Sequence, residues 1–201
     1  MLETTERFGV MVSYLESLTR AIGAISVPEL LFAADLVETA YLDGRTIYTC
    51  GNGGSAATAA HLAVDLAKNT RLPGVAQVRT MSLVDNVPPL TAWANDVSYE
   101  SVFSGQLTGL AAQGDVLIAI SISGNSPNVL EALRVARDLG VHTVDLLGPT
   151  GGRARDLCDA WIAAPAPSIE EQEDVHMAFA HILTRHMRNF VAEHAAVGAR
   201  C

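Results

Sequence analysis

Two loops rich in small hydroxyls, and two pairs of side chains that bind metals or move protons, carry the chemistry of this sequence. The first loop is Gly51-Asn52-Gly53-Gly54-Ser55, after the apolar run 46–50. The second is Ser121-Ile122-Ser123-Gly124-Asn125-Ser126, after the apolar run 116–120. Each stands between a strand pattern and a helix pattern. Free backbone N–H groups and serine hydroxyls therefore gather at a helix N-terminus, an arrangement that receives an anion such as phosphate. Two such loops in one small α/β domain point to a phosphorylated ligand held between them.

His61 and Asp65 stand at i and i+4 in the helix that the first loop opens, so they share a face. Glu173 and His181 stand eight residues apart in a final helix, offset by roughly 80° around its axis and still on one broad side. Two histidines and two carboxylates are a donor set for zinc or another divalent metal. The same residues have plainer readings. The acidic run 170–174 suits a helix start, a His-x-x-x-Asp pair suits a solvated helix face, and loop serines suit helix caps. Residues 51–56 also match the G-x-G-x-x-A form of a dinucleotide fingerprint, but the acidic residue it needs falls late, at Asp85. No Gly-Lys-Ser/Thr occurs, which excludes a Walker loop.

Composition bounds the ligand and its setting. With 201 residues, 49% of them hydrophobic, the chain builds one domain with a sizeable core. A net charge of -9 offers no basic surface, so nucleic acid and anionic membrane are excluded as direct partners, and the anion site must be local. Cys50, Cys158 and Cys201 are far apart, odd in number and form no CxxC, so neither a disulfide framework nor a thiolate zinc site is indicated, which fits a reducing cytoplasm. Cys50 reads as a small buried residue closing a strand rather than as a reactive thiol. The acidic, mixed residues 1–7 are unlike a signal peptide, and no apolar run reaches the length of a membrane span.

Strand and helix patterns must place the two loops. A helix over 3–22 carries an apolar stripe of Phe8, Met11, Leu15 and Leu18, expected to pack on the core, with burial against a sister subunit as the alternative. Ser26-Val27-Pro28 starts a second helix that Asp43-Gly44 ends. Strands are expected over 46–50, 77–82, 116–120, 142–148 and 160–164. Helices are expected over 55–68, 99–110, 126–139, 152–158 and 170–196, with a turn-rich stretch at Pro88-Pro89. This alternation predicts one α/β domain over 1–201, a parallel sheet covered on both faces, with the ligand at the carboxyl ends of the strands.

Taken together, residues 50–55, 59–65 with His61, Ala94-Asn95-Asp96, 114–117, 121–128 and 175–183 resemble the sugar isomerase (SIS) family, in its phosphoheptose isomerase branch. The resemblance runs in order across nearly the whole chain. It implies a flavodoxin-like three-layer sandwich, a homotetramer with active sites at subunit boundaries, and interconversion of sedoheptulose 7-phosphate with a glycero-manno-heptose 7-phosphate. It implies that Ser55, Ser121, Ser123 and Ser126 hold the phosphate, aided by N–H groups around Asn52, Gly53 and Gly54. It implies that Asn95 and Asp96 meet sugar hydroxyls, and that His61, Asp65, Glu173 and His181 are zinc ligands. Four positions depart from the family pattern: Asp65 replaces Glu, Glu173 replaces Gln, Ile122 replaces the Thr of a Ser-Thr-Ser triplet, and Lys68-Asn69 stands where an arginine is usual.

Aldose–ketose isomerisation through an enediolate needs a base, an acid near the oxygens, and something to bear negative charge. The roles fall to Asp65 or Glu173 as base and His181 as acid, with a divalent metal polarising the carbonyl. The competing expectation is a non-catalytic SIS protein that senses a sugar phosphate or binds a replication initiator.

Overall fold

Five apolar runs pair into one parallel sheet: β1 (Thr46–Gly51), β2 (Arg79–Ser82), β3 (Val116–Ser121), β4 (His142–Leu147) and β5 (Ala160–Ala163). Their order is β2-β1-β3-β4-β5, every neighbour parallel. Strands covered on both faces have no polar side to alternate with, and β3 is buried at every residue. The computed structural model describes residues 4–198, so Glu3, where the first helix was expected to begin, and Cys201 lie outside the described residues.

Helices cover both faces and complete a flavodoxin-like three-layer sandwich. On one face α2 (Val27–Leu42), α3 (Gly54–Asn69) and α7 (Ile169–Gly198) bury Val37, Leu62, Leu66, Phe179 and Leu183 against Ile47, Ile118 and Leu146. On the other, α5 (Ser104–Leu110) and α6 (Pro127–Asp138) bury Leu107, Val129 and Leu133 against Tyr48, Leu117 and Ala119. Each such large apolar side chain contributes about 1.5–3 kcal/mol on burial. The strand order reverses between β1 and β3, where the chain leaves β1 for β2 on one side and returns to β3 on the other. Gly51 pairs with Ile120, so the two serine loops leave the sheet side by side at this switch point, where open α/β sheets bind ligands.

Three local expectations are corrected. Pro88 and Pro89 do not mark a turn: they lie in the first turn of α4 (Val87–Asp96), where a missing N–H costs nothing because helix N-termini leave those donors unpaired. The helix expected over 99–110 is a 3-10 turn at Tyr99–Ser101 followed by α5. Val102 and Phe103 sit at the break and bury their side chains. On α1 (Thr4–Gly23) the expected stripe divides. Phe8, Met11 and Leu15 are exposed, while Leu18 packs against the core. The inward face is Tyr14, Leu18 and Ala21, and Tyr14 donates to Asp174 of α7 at 2.6 Å. A helix lying on one neighbour buries only a narrow stripe, and here that stripe is set by the contact with α7.

One buried group conflicts with the core. Asp145 on β4 is fully buried, and neither carboxylate oxygen has a hydrogen-bond partner among the described residues. Burial pushes its carboxyl well above the usual carboxylate range. A carboxyl whose folded pKa is raised contributes stability at low pH that is lost as pH rises. Asp145→Ala is therefore expected to unfold later than the parent in urea at pH 8, by roughly 1–3 kcal/mol. The gain should shrink at pH 5. An equal difference at both pH values would show that ionisation of Asp145 is not the cause.

Candidate active site

The carboxyl edge of β1 and β3 opens into a cavity of about 250 Å³. It is lined by Asn52 and Ser55 from the first loop, Ile120, Ser121, Ile122, Ser123 and Ser126 from the second, and Ile169 and Glu173 from α7. No lysine or arginine lines it among the described residues. An anion here meets hydroxyls and the N-termini of α3 and α6, not a cation.

The serines are not spent as helix caps. The N-cap of α3 is Gly53, which leaves Ser55 inside the helix, buried and facing the cavity. Ser126 is the N-cap of α6, but its side chain makes no capping bond. It receives the Ser121 hydroxyl at 3.3 Å instead. Ser123 Oγ accepts the Asn125 N–H at 3.1 Å, closing the second loop on itself. Beneath this loop the Ile122 carbonyl accepts from Gly148 N at 3.0 Å, and the apolar Ile122 side chain lines the cavity.

Glu173 reaches the cavity because Gly54 makes room for it. A Cβ at Gly54 would collide with Glu173 Oε1 and stand 2.6 Å from Oε2. The α3 N-terminus thus faces a carboxylate, a favourable pairing with the helix dipole.

A second cluster lies further along the same α3–α7 seam. His61, Asp65 and His181 each direct a ligand atom to one place, all within 4.8 Å of one another. The two imidazole rings meet edge to face, 5.2 Å between centroids. His61 Nε2 is 3.3 Å from Asp65 Oδ2. The other oxygen, Oδ1, accepts from Asn69 Nδ2 at 2.7 Å, which fixes the carboxylate plane. Two imidazoles and one carboxylate oxygen fit a divalent cation that keeps an open position. Glu173 is not a member of this group. It faces Gly54, about two helical turns back along α7.

Other expected residues lie elsewhere. Asn95 and Asp96 end α4, where the Asn95 amide donates to Asp96 at 2.8 Å on the exposed surface. Neither lines the cavity, and Asp96 faces a separate hollow with Trp93 and Val97. Asp85, which a dinucleotide site would need, borders another hollow along β2. Cys50 is buried and its thiol pushed up by that burial, the opposite of an activated thiolate. His176 is also buried. Desolvation pushes its pKa down to about 4, so the neutral ring donates through Nε2 to the Leu147 carbonyl at 3.2 Å.

Three residues beyond the expected set contact site residues directly. Asn69 holds Asp65, while Asn128 and Tyr99 hold Asn52. Asn69 and Asn128 sit in recognisable motifs, but nothing in the sequence near Tyr99 marks it as part of a site.

Residues 13–148 match the SIS domain family. The phosphoheptose isomerase of Aliarcobacter butzleri is 39% identical over 183 residues, covering 89% of this chain and 93% of that protein. The chain belongs to the SIS-domain phosphoheptose isomerase family. The Helicobacter pylori (strain Shi470) member of this family is 41% identical over 182 residues, covering 89% of this chain and 94% of that one. The solved phosphoheptose isomerase of Neisseria gonorrhoeae superposes with a TM-score of 0.84 at 29% identity, across 93% of this chain and all of that one. No helix among the described residues is long and apolar enough to cross a membrane.

Proposed function

We propose that this chain is an aldose–ketose isomerase that interconverts sedoheptulose 7-phosphate and D-glycero-D-manno-heptose 7-phosphate. One observation carries the reading beyond family membership: the spacing between the serine loops and the His61 cluster. Gly54 and His61 are seven residues apart on one helix, about 10 Å along its axis. An extended heptose 7-phosphate has eight bonds from C1 to phosphorus, a span of roughly 10 Å at ordinary bond lengths. With its phosphate on Ser55, Ser121, Ser123 and Ser126, such a sugar brings C1 and C2 to Asp65 and His181.

Asp65 then takes the C2 proton of the aldose and returns it to C1, its carboxylate held in plane by Asn69. His181 gives a proton to O1 and receives one from O2. Glu173, which faces Gly54 near the phosphate end, accepts hydrogen bonds from hydroxyls on that side of the sugar chain, and Ile122 packs against carbon where the family places a hydroxyl. His61, Asp65 and His181 would hold a divalent cation, zinc by their donor chemistry, which would supply Lewis-acid polarisation of the carbonyl. Asn95 and Asp96 reach sugar hydroxyls only from a second copy of the chain. The exposed Phe8, Met11 and Leu15 face of α1 supports a homotetramer.

The test is direct. Purified protein supplied with zinc is incubated with sedoheptulose 7-phosphate, and the aldose is followed by carbon-13 NMR. The aldose should accumulate to equilibrium, stop on EDTA treatment and resume on zinc addition. Tight binding of the sugar phosphate without any aldose would mark a sensor instead of an isomerase.

A further inference from the structure

The first serine loop is held by an amide clamp that no expectation from the sequence contained. Asn52 and Asn128 form a reciprocal pair. Asn52 Nδ2 donates to Asn128 Oδ1 at 2.9 Å, and Asn128 Nδ2 donates to Asn52 Oδ1 at 2.8 Å. Asn128 is the second residue of α6 and is 1% exposed. Its Oδ1 also accepts the Val129 N–H at 3.0 Å, so its orientation is not free. From the opposite side, Tyr99 Oη donates to Asn52 Oδ1 at 2.9 Å.

The count of donors and acceptors decides what this does. An amide oxygen has two acceptor sites and an amide nitrogen two protons. Both acceptor sites of Asn52 Oδ1 are filled, by Asn128 and Tyr99. One Nδ2 proton is spent on Asn128, and the other remains. Because turning the amide over would lose both hydrogen bonds to Asn128, whose own orientation is fixed by Val129, Asn52 keeps a donor available on a side chain that lines the cavity. The clamp also ties the loop after β1 to the helix after β3, which sets the spacing of the two serine loops.

We infer that Asn128 and Tyr99 are positioning residues that lock Asn52 as a hydrogen-bond donor to the phosphoryl end of the ligand. This rests on the phosphosugar reading of the cavity. The ligand chemistry is a phosphate monoester, met by one oriented amide N–H in a cavity that no lysine or arginine among the described residues lines. Losing an oriented neutral hydrogen bond lowers affinity by roughly 2–13-fold. Losing the buried partner costs more, because Asn52 is then free to turn its oxygen toward the anion.

Tyr99→Phe and Asn128→Ala test this, each with two probes. The first is the KM and kcat for sedoheptulose 7-phosphate. The second is the Kd of inorganic phosphate by titration calorimetry, which does not depend on turnover. Tyr99 is 63% exposed, so Tyr99→Phe should keep the parent Tm. It should raise both KM and the phosphate Kd about 3–10-fold while kcat changes less than twofold. Asn128→Ala should raise both by more than tenfold. Unchanged KM and Kd in Tyr99→Phe, or a lower Tm without weaker phosphate binding in Asn128→Ala, would make the clamp a structural brace only and overturn the inference. A parent protein that binds phosphate but produces no aldose would sink the isomerase reading and leave the clamp to be judged by Kd alone. A parent that binds no phosphate overturns both.

Discussion

Asp65→Asn and His181→Ala are each expected to lower kcat on sedoheptulose 7-phosphate by about 10²–10⁴-fold, the usual contribution of a positioned acid or base. Asn keeps the size of Asp65 and its contact with Asn69 but cannot take a proton from carbon. Ala at position 181 removes the ring that meets His61 at 5.2 Å. Both sites are at least partly open to solvent, so neither change leaves a buried group unpaired, and Tm should move little. The phosphate end is held by the serine loops, so KM should change much less than kcat. That split matters. A residue that only supported the fold would lower kcat and Tm together, and one that only bound substrate would raise KM. Initial rates across a substrate range, with metal content measured on the same samples, distinguish these. Retention of more than a tenth of the parent kcat in both variants would show that the proton transfers occur elsewhere, with Glu173 the next candidate.

The largest expected effect on stability is at Gly124, in the second serine loop. Its backbone is left-handed, φ +58, a region that costs a non-glycine residue energy. A Cβ there would collide with the Gly151 carbonyl oxygen, stand 2.7 Å from its carbon and 3.1 Å from Gly152 Cα. These neighbours are backbone and cannot turn aside. Just beyond them, the Ala154 N–H donates to the Gly124 carbonyl at 2.9 Å and pins the segment to the loop. Gly124→Ala is therefore expected to destabilise by about 2–5 kcal/mol, the sum of backbone strain and overpacking. Relief requires moving the second loop away from the 148–152 segment, which displaces Ser121, Ser123 and Ser126. The surviving folded protein should accordingly show a KM for sedoheptulose 7-phosphate raised at least tenfold. Urea unfolding and steady-state kinetics measure the two effects, and a loss below 1 kcal/mol would show that the loop accommodates the methyl group without strain.

Strands and loops were the most legible part of this chain. Parallel strands buried on both faces are continuous apolar runs, and all five strands lie within two residues of their expected bounds. Elements on the α6 side were less legible. The proline pair hid α4, because prolines at a helix start and in a turn look alike in sequence. The break before α5 arises from burial of Val102 and Phe103, which local propensity does not encode. On α1 only Leu18 of the apolar stripe packs on the core, since helical spacing names an apolar face without naming what covers it.

For the site the division has one physical cause. Local spacing placed His61 beside Asp65, because residues four apart on a helix always meet. It likewise set the serine loops at helix starts, and the order of motifs along the chain was sufficient for the family resemblance. Which distant groups meet was decided by packing alone. The seam between α3 and α7 brings His181 to His61 but sends Glu173 to Gly54. The parallel pairing of β1 with β3 brings Asn52 to Asn128, 76 residues away. A sequence specifies side-chain neighbours within one helical turn by backbone geometry. Neighbours across elements depend on how whole faces bury against each other, and here that burial determined which carboxylate joins the histidines and which faces the phosphate loops.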